Sequence, residues 1–235
     1  LQRLLNPKTE LNIDRFLIHD VFKHKDKIRK DSVTDNEIVG QINGMYANGL
    51  GIGGILPIQV SRNMSEVKLE LTGNQGDTMK ESMRCSKTIA WNIIPNSLKK
   101  TIYKDWKDNG NWGIHIHCPE AATPKDGPSA GGAITLAIIS LLTGIPVNNK
   151  IALTGEIDLN GSIHKIGGLE SKIDGGKNAG VKLILYPDQN QEDVDMIKKK
   201  NPSLLEDIEI KPINSIWQIL DLCLVDNNLV FSKYI

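Results

Sequence analysis

The alternation of apolar and polar positions divides the chain into two zones. In the first, residues 1–33 read as a helical lead-in and a charged linker, with a short amphipathic stretch opening at Asn12-Ile13-Asp14-Arg15-Phe16-Leu17. Strands are expected from Ile38 to Ala47, from Ile55 to Val60 and from Glu66 to Leu71, where Val67, Leu69 and Leu71 recur at the period of two of a half-buried strand. Met79, Met83, Ile89 and Ala90 recur at roughly helical spacing and place a helix from about Asp77 to Ile93; Trp112 to Cys118 reads as a strand. The second zone alternates more regularly. It predicts helix 129–143, strand 151–157, a turn at Asp158-Leu159-Asn160-Gly161 and strand 162–166, then helix 168–179, strand 181–186, helix 189–200, strand 207–212 and helix 215–224. Asn-Gly favours a hairpin because both central residues of a type I′ turn need positive φ. Strands and helices mix without internal repeats, an α/β or α+β pattern. The main domain is expected over 34–228, with a tail at 229–235.

Composition narrows the classes of function. A 40% apolar fraction with 24% charged residues is ordinary for a globular protein of 235 residues. Lysine plus arginine equal aspartate plus glutamate, 28 against 28, so no global field draws the chain to nucleic acid or an acidic membrane. The basic run Lys23-His24-Lys25-Asp26-Lys27-Ile28-Arg29-Lys30 is short, carries an acid and reads as solvated linker. Cys85, Cys118 and Cys223 are scattered and odd in number, which suits a reducing compartment, the cytoplasm or alternatively the mitochondrial matrix. No apolar run reaches membrane-spanning length, and no secretory leader is visible. A start at Leu1 suggests a fragment of a longer chain.

Two motifs fail on context. Gly49-Leu50-Gly51-Ile52-Gly53-Gly54 matches GxGxxG, but the dinucleotide fingerprint needs a helix next, and the strand-like Ile55-Leu56-Pro57-Ile58-Gln59-Val60 follows. These glycines read as a mobile loop. No GxxxxGK[ST] occurs, so any dependence on ATP must come from a region outside these residues.

The informative segment runs from Ile114 to Ala133 and includes Pro124-Lys125-Asp126-Gly127-Pro128-Ser129-Ala130-Gly131-Gly132. Pro124, Gly127 and Pro128 force a turning approach, and a helix begins at or just after Ser129. Ser129 is then either an N-cap or a nucleophile placed where the free N–H groups of a helix start converge, a setting suited to an oxyanion. His115 and His117 share one face of their strand, with Ile114 and Ile116 on the other. A third ligand at metal spacing is missing, so they read as supporting polar residues rather than a metal pair. Cys118 reads as a small core residue. Asp126, three before Ser129, is within reach of Lys172 in some conformations of its loop, where it would compete with a base role for that lysine.

The stretch Pro124 to Gly131 resembles the catalytic serine motif of Lon proteases, in the form typical of the bacterial and mitochondrial branch. Thr154-Gly155-Glu156-Ile157 and Ile166-Gly167-Gly168-Leu169-Glu170-Ser171-Lys172 resemble that family's next two blocks in the same order. The family's lysine lies 43 residues after its serine, and 172 − 129 = 43 here. The strong similarity covers about 111–187; Asn36-Glu37-Ile38-Val39-Gly40-Gln41 resembles the start of the family's proteolytic domain.

The resemblance implies an α+β domain with several short sheets and packed helices, and a serine endopeptidase with a Ser129–Lys172 dyad. Thr154 would hydrogen-bond within the dyad, and His115 and His117 would neighbour it. It further implies polypeptide substrates and a hexameric ring. Cofactors are expected to be none in this chain, with ATP and magnesium belonging to an upstream ATPase region; neither a membrane nor a specific nucleic-acid site is expected. A processing protease with the same dyad but no ATPase, and a catalytically silent module, are the alternatives. A base lysine must be neutral, which asks for a pKa lowered by about three units, near 4 kcal/mol. Asp174-Gly175-Gly176 departs from the family pattern, and such poor helix formers behind Lys172 are expected to loosen its helix.

Overall fold

Successive residues of a strand face opposite sides, and the central strands of this chain are apolar on both. In β1 (Gln41–Ala47), Ile42 enters one hydrophobic cluster and Met45 the other; in β2 (Gly53–Asn63), Leu56 and Ile55 divide in the same way. β5 (Ile151–Leu153) and β8 (Leu183–Pro187) repeat the alternation, so helices must cover both faces of the sheet. The structure, a computed structural model, describes residues 32–64 and 67–225. The expected lead-in, apart from residues 32 and 33, and the tail at 229–235 lie outside the described residues.

Seven strands form one mixed sheet in the order β3-β4-β2-β1-β5-β8-β9, with β3 at Leu69–Thr72, β4 at Gly113–His117 and β9 at Glu209–Ile213. β1, β2 and β4 run antiparallel, while β5, β8 and β9 extend the sheet from β1 in parallel. One face carries α1 (Asp77–Ile93), α2 (Asn96–Asn109), α3 (Gly131–Thr143) and α6 (Ile216–Cys223); the other carries α4 (Leu169–Asn178) and α5 (Gln191–Lys200). A small second sheet pairs β6 (Glu156–Ile157) with β7 (Ile163–His164). This is the expected α+β class, with its strands concentrated in one large sheet.

α3 is apolar all round, Gly131-Gly132-Ala133-Ile134-Thr135-Leu136-Ala137-Ile138-Ile139, because it is covered on both sides, by the sheet and by α1 and α6. Gly144 ends it in the left-handed conformation, φ 72°. The hairpin turn falls where Asn160-Gly161 placed it: Asp158 accepts the amides of Asn160 and Ser162 on its carboxylate.

Three expectations are corrected. α2 is not among the expected elements, although Leu98, Ile102 and Trp106 recur at helical spacing; only Ile102 of its fourteen residues is fully buried. The single strand expected over 151–157 is two strands in different sheets. At the break, Thr154 N–H still donates to Leu185 O, but Gly155 bonds Ser129 O (2.7 Å) and accepts from Gly132 N–H (3.1 Å). The chain turns from one sheet to the serine loop at that point. Thirdly, Gly53 opens β2 rather than lying in a loop, and Gly175 does not loosen the lysine helix. A Cβ at Gly53 would lie 1.9 Å from Ser171 O, and one at Gly175 would lie 2.2 Å from Gly53 C. The two glycines let α4 press backbone to backbone onto β2.

Gly175→Ala should therefore lower stability by about 2 kcal/mol or more through overpacking, although helix propensity alone would raise it by about 1 kcal/mol. Gly176→Ala should cost less, because its new methyl meets the flexible end of Met45 at 2.9 Å. Urea unfolding of both variants decides: a stabilised Gly175→Ala would mean that the helix can shift away from the strand.

Candidate active site

Pro128 and Ser129 form the turn that leads into α3, and the helix cap proper is Ala130, with no side-chain cap bond. The Ser129 hydroxyl is thus free of the capping role. It lies 3.0 Å from the Nζ of Lys172. Its loop is fixed from three directions. Gly155 N–H and the Thr154 hydroxyl donate to Ser129 O, at 2.7 and 3.2 Å. From α1, Ser82 donates to Pro128 O (3.4 Å) and Ser86 to Gly131 O (3.1 Å).

Lys172 sits in the second turn of α4, which starts after Gly168 in the left-handed conformation (φ 70°). Pressed toward β2, this turn is covered, and Lys172 is only 3% exposed. Its Nζ donates to Thr154 Oγ at 2.9 Å, and Thr154 is fully buried. Threonine therefore accepts from the lysine while donating to the serine's carbonyl, so one hydroxyl ties the nitrogen to the serine loop. Burial alone lowers the Lys172 pKa from 10.5 to about 8.

Asp126 borders the same cleft but does not pair with the lysine. α1 begins at Gly76, which has no side chain to cap it, and Asp126 serves from another segment, accepting the Met79 amide at 2.9 Å. The amides of Met79, Gly127 and Thr78 hold its carboxyl below the usual range. With that acid engaged at a helix N-terminus, desolvation of Lys172 is not offset by a counter-charge.

His115 and His117 share the face of β4 opposite Ile114 and Ile116, as their spacing required. They lie away from Ser129, however. Both imidazoles bond the Thr72 hydroxyl, His115 through Nε2 and His117 through Nδ1, each at 2.7 Å. Neither borders the cleft that holds Ser129 and Lys172. Cys118 is fully buried in the core, where desolvation raises its thiol pKa. Among the described residues no cluster of three histidine, cysteine or carboxylate groups is arranged to hold a metal, and no helix is long and apolar enough to cross a membrane.

The cleft encloses about 790 Å³ between the β1–β2 hairpin, the 119–128 loop and Gly167-Gly168, with Ser129 and Lys172 at its base. Met45, Leu56 and Met79 give it an apolar wall. Nothing in the sequence marks Ser82 or Ser86 as a support of the serine loop, and Met79 shows there only as an apolar helix position. Their contacts join residues far apart in the chain, and an ordinary helical serine carries no mark of them.

Residues 12–226 match the Lon protease (S16) C-terminal proteolytic domain. A Lon protease homolog of Acanthamoeba polyphaga mimivirus is 41% identical over 230 residues, covering 92% of this chain and 22% of that protein. A Lon protease of Trichlorobacter lovleyi is 37% identical over 198 residues (84% and 23%), and one of Methanosphaera stadtmanae 36% over 208 (88% and 24%). The chain spans less than a quarter of the length of these relatives.

A buried lysine that prefers to be neutral makes stability depend on pH. The folded pKa of about 8 lies below the ordinary 10.5, so the unfolded chain binds the extra proton between these values. The group's contribution is complete above about pH 10.5 and is lost as pH falls through 8, a span of about 3 kcal/mol. Lys172→Met, which keeps the length and removes the charge, should raise the melting temperature at pH 7, and the gain should shrink toward pH 10. Calorimetric scans across that range test it. A variant less stable at every pH would show that the hydrogen bonds to Ser129 and Thr154 outweigh the cost of burial.

Proposed function

Since the chain belongs to the Lon protease (S16) family as a C-terminal proteolytic domain, a serine peptidase and so a hydrolase, we propose that Ser129 is its nucleophile and Lys172 its general base. The observation that carries this is a desolvated lysine nitrogen 3.0 Å from a serine hydroxyl, with no acid against it. A serine hydroxyl attacks a peptide carbonyl only when a base takes its proton. Neutral Lys172 has one lone pair and two N–H bonds. One N–H is directed to Thr154 Oγ, which leaves the lone pair to face Ser129 Oγ.

In the proposed sequence, Lys172 Nζ takes the Ser129 proton as Oγ bonds to the carbonyl carbon of an extended chain in the cleft. The carbonyl oxygen becomes an oxyanion at the start of α3. The amides of Gly131 and Gly132 already serve Pro128 O and Gly155 O, so those of Ser129 and Ala130 are left to meet it. The Lys172 ammonium then gives its proton to the departing amine as the C–N bond breaks, leaving an ester on Ser129. Water, deprotonated in turn by Lys172, cleaves that ester and restores the serine. Thr154 keeps the nitrogen aligned throughout.

For the whole protein, we infer polypeptide substrates that arrive unfolded, delivered by an ATP- and magnesium-dependent region outside these residues, and a hexameric ring that encloses the sites. Two facts support this division: this chain matches less than a quarter of the length of its relatives, and it lacks a phosphate-binding loop. The organised Ser129–Lys172–Thr154 contacts favour an active module over a silent one.

Ser129→Ala should abolish cleavage of an unstructured fluorogenic peptide while changing stability by less than about 1 kcal/mol. Lys172→Arg should be as inactive as Lys172→Ala, because a guanidinium does not release its proton near neutrality; substantial rescue by arginine would refute the base role. The base works unprotonated, so kcat/KM should climb about tenfold per pH unit below 8 and level off above it. A profile flat from about pH 5 to 9 would contradict it. Peptides, but not a stably folded protein, should be cut by this chain with or without ATP, as gel analysis of a folded substrate will show.

A further inference from the structure

The strongest aromatic feature of the chain lies outside the peptidase site. Three of the four tryptophans gather with a tyrosine at the far end of α1. Trp91 of α1 stacks on Trp106 of α2 (5.9 Å, 9° between planes), and Tyr103 stands edge-on to both. Trp112 meets Trp106 at 5.5 Å and is covered by the Arg62 guanidinium at 4.2 Å. These rings wall a cavity of about 680 Å³ whose apolar side is supplied by β3, β4 and α3 through Leu71, Ile114 and Ile138. It shares no lining residue with the Ser129 cleft.

Three observations say what the cavity would accept. Its volume falls within the roughly 300–1,000 Å³ of small-molecule sites, which are largely apolar with a few polar anchors. The Trp106 indole N–H is buried without an acceptor among the described residues, an unfavourable state that an incoming acceptor would relieve. Trp112 Nε1, by contrast, is satisfied by Asp105 at 2.8 Å. The charge at the rim is positive: Arg84 and Lys87 border the cavity from α1, and neither has an acidic partner among the described residues. The neighbouring acid, Asp105, is taken up by Arg62, Asn109 and Trp112. An aromatic cage alone would suit a cation, but this rim repels one.

We propose that the cavity is a binding site for a small amphipathic anion, a carboxylate with an aromatic or branched aliphatic body. The body packs among Trp91, Tyr103 and Trp106, a polar atom accepts from Trp106 Nε1, and the carboxylate faces Arg84 and Lys87.

The test pairs two probes of one shape and opposite charge, 4-phenylbutyrate and 4-phenylbutylamine, titrated calorimetrically into the intact chain at low salt. The acid should bind one to one and at least about tenfold more tightly than the amine, as expected for charges of opposite sign brought close near a surface. Arg84→Glu with Lys87→Glu should reverse that preference. Trp106→Phe, which keeps a ring and removes the donor, should weaken the acid several-fold, and peptide cleavage should be unchanged in all these variants. Equal affinity for the two probes, no heat at millimolar concentration, or a preference that survives the charge reversal would overturn the assignment. So would sedimentation showing that a second copy of the chain covers the rings.

Discussion

A lysine amine held out of water with no carboxylate beside it is the constraint on which the arrangement of the site depends. Burial would be cancelled as a means of lowering its pKa if an acid stood within a few ångströms. Asp126, which borders the same cleft, is instead committed to the start of α1, where Gly76 provides no cap. Among the described residues, the groups that bond the lysine nitrogen are the neutral hydroxyls of Thr154 and Ser129. The polar contacts around Nζ thus hold its position without supplying a charge that would keep it protonated.

Getting the lysine there requires an unusually close helix–strand contact. Gly53 of β2 and Gly175 of α4 remove the side chains that would hold the helix away, and Lys172 lies one turn before Gly175. The serine is brought to meet it by a different device. The chain leaves the large sheet after Leu153, and Gly155 bonds the serine loop before β6 begins in the small sheet. Thr154 therefore joins the serine loop to the lysine through its side chain, and Gly155 holds the same loop through its main chain. Buried α3 and the serines of α1 fix the loop from behind.

α1 also separates two surfaces of different chemistry. Its first turn borders the apolar cleft over Ser129; its later turns present Arg84, Lys87 and Trp91 to the aromatic cavity. The first surface has a buried lysine beside a serine hydroxyl. The second has stacked rings and, among the described residues, one indole donor without an acceptor and two cations without an acidic partner, Lys87 donating to Val67 O instead. Their separation lets either be altered without removing a group from the other.

Local patterns determined a good deal by themselves. The helix expected at Asp77 to Ile93 has those bounds, and the Asn160-Gly161 turn closes its hairpin, because periodicity and turn chemistry act over a few residues. The serine motif, the lysine 43 residues on and the threonine between them were likewise readable as a family pattern. Their bonding was not, nor was the burial of Lys172, since desolvation depends on what packs against a side chain from elsewhere. α2 does carry Leu98, Ile102 and Trp106 at helical spacing, but only Ile102 is fully buried and the rest of that stripe stays half-buried. Asp126 was read as a possible contact of Lys172, yet α1, 49 residues upstream at its start, captured it. The histidines of β4 had their face set by alternation, but their distance from Ser129 and their bonds to Thr72 were set by strand pairing. Gly175, a weak helix former by propensity, lets α4 pack directly onto the backbone of Gly53. Propensity records the loss of a side chain, and only the tertiary structure supplies the backbone that takes its place.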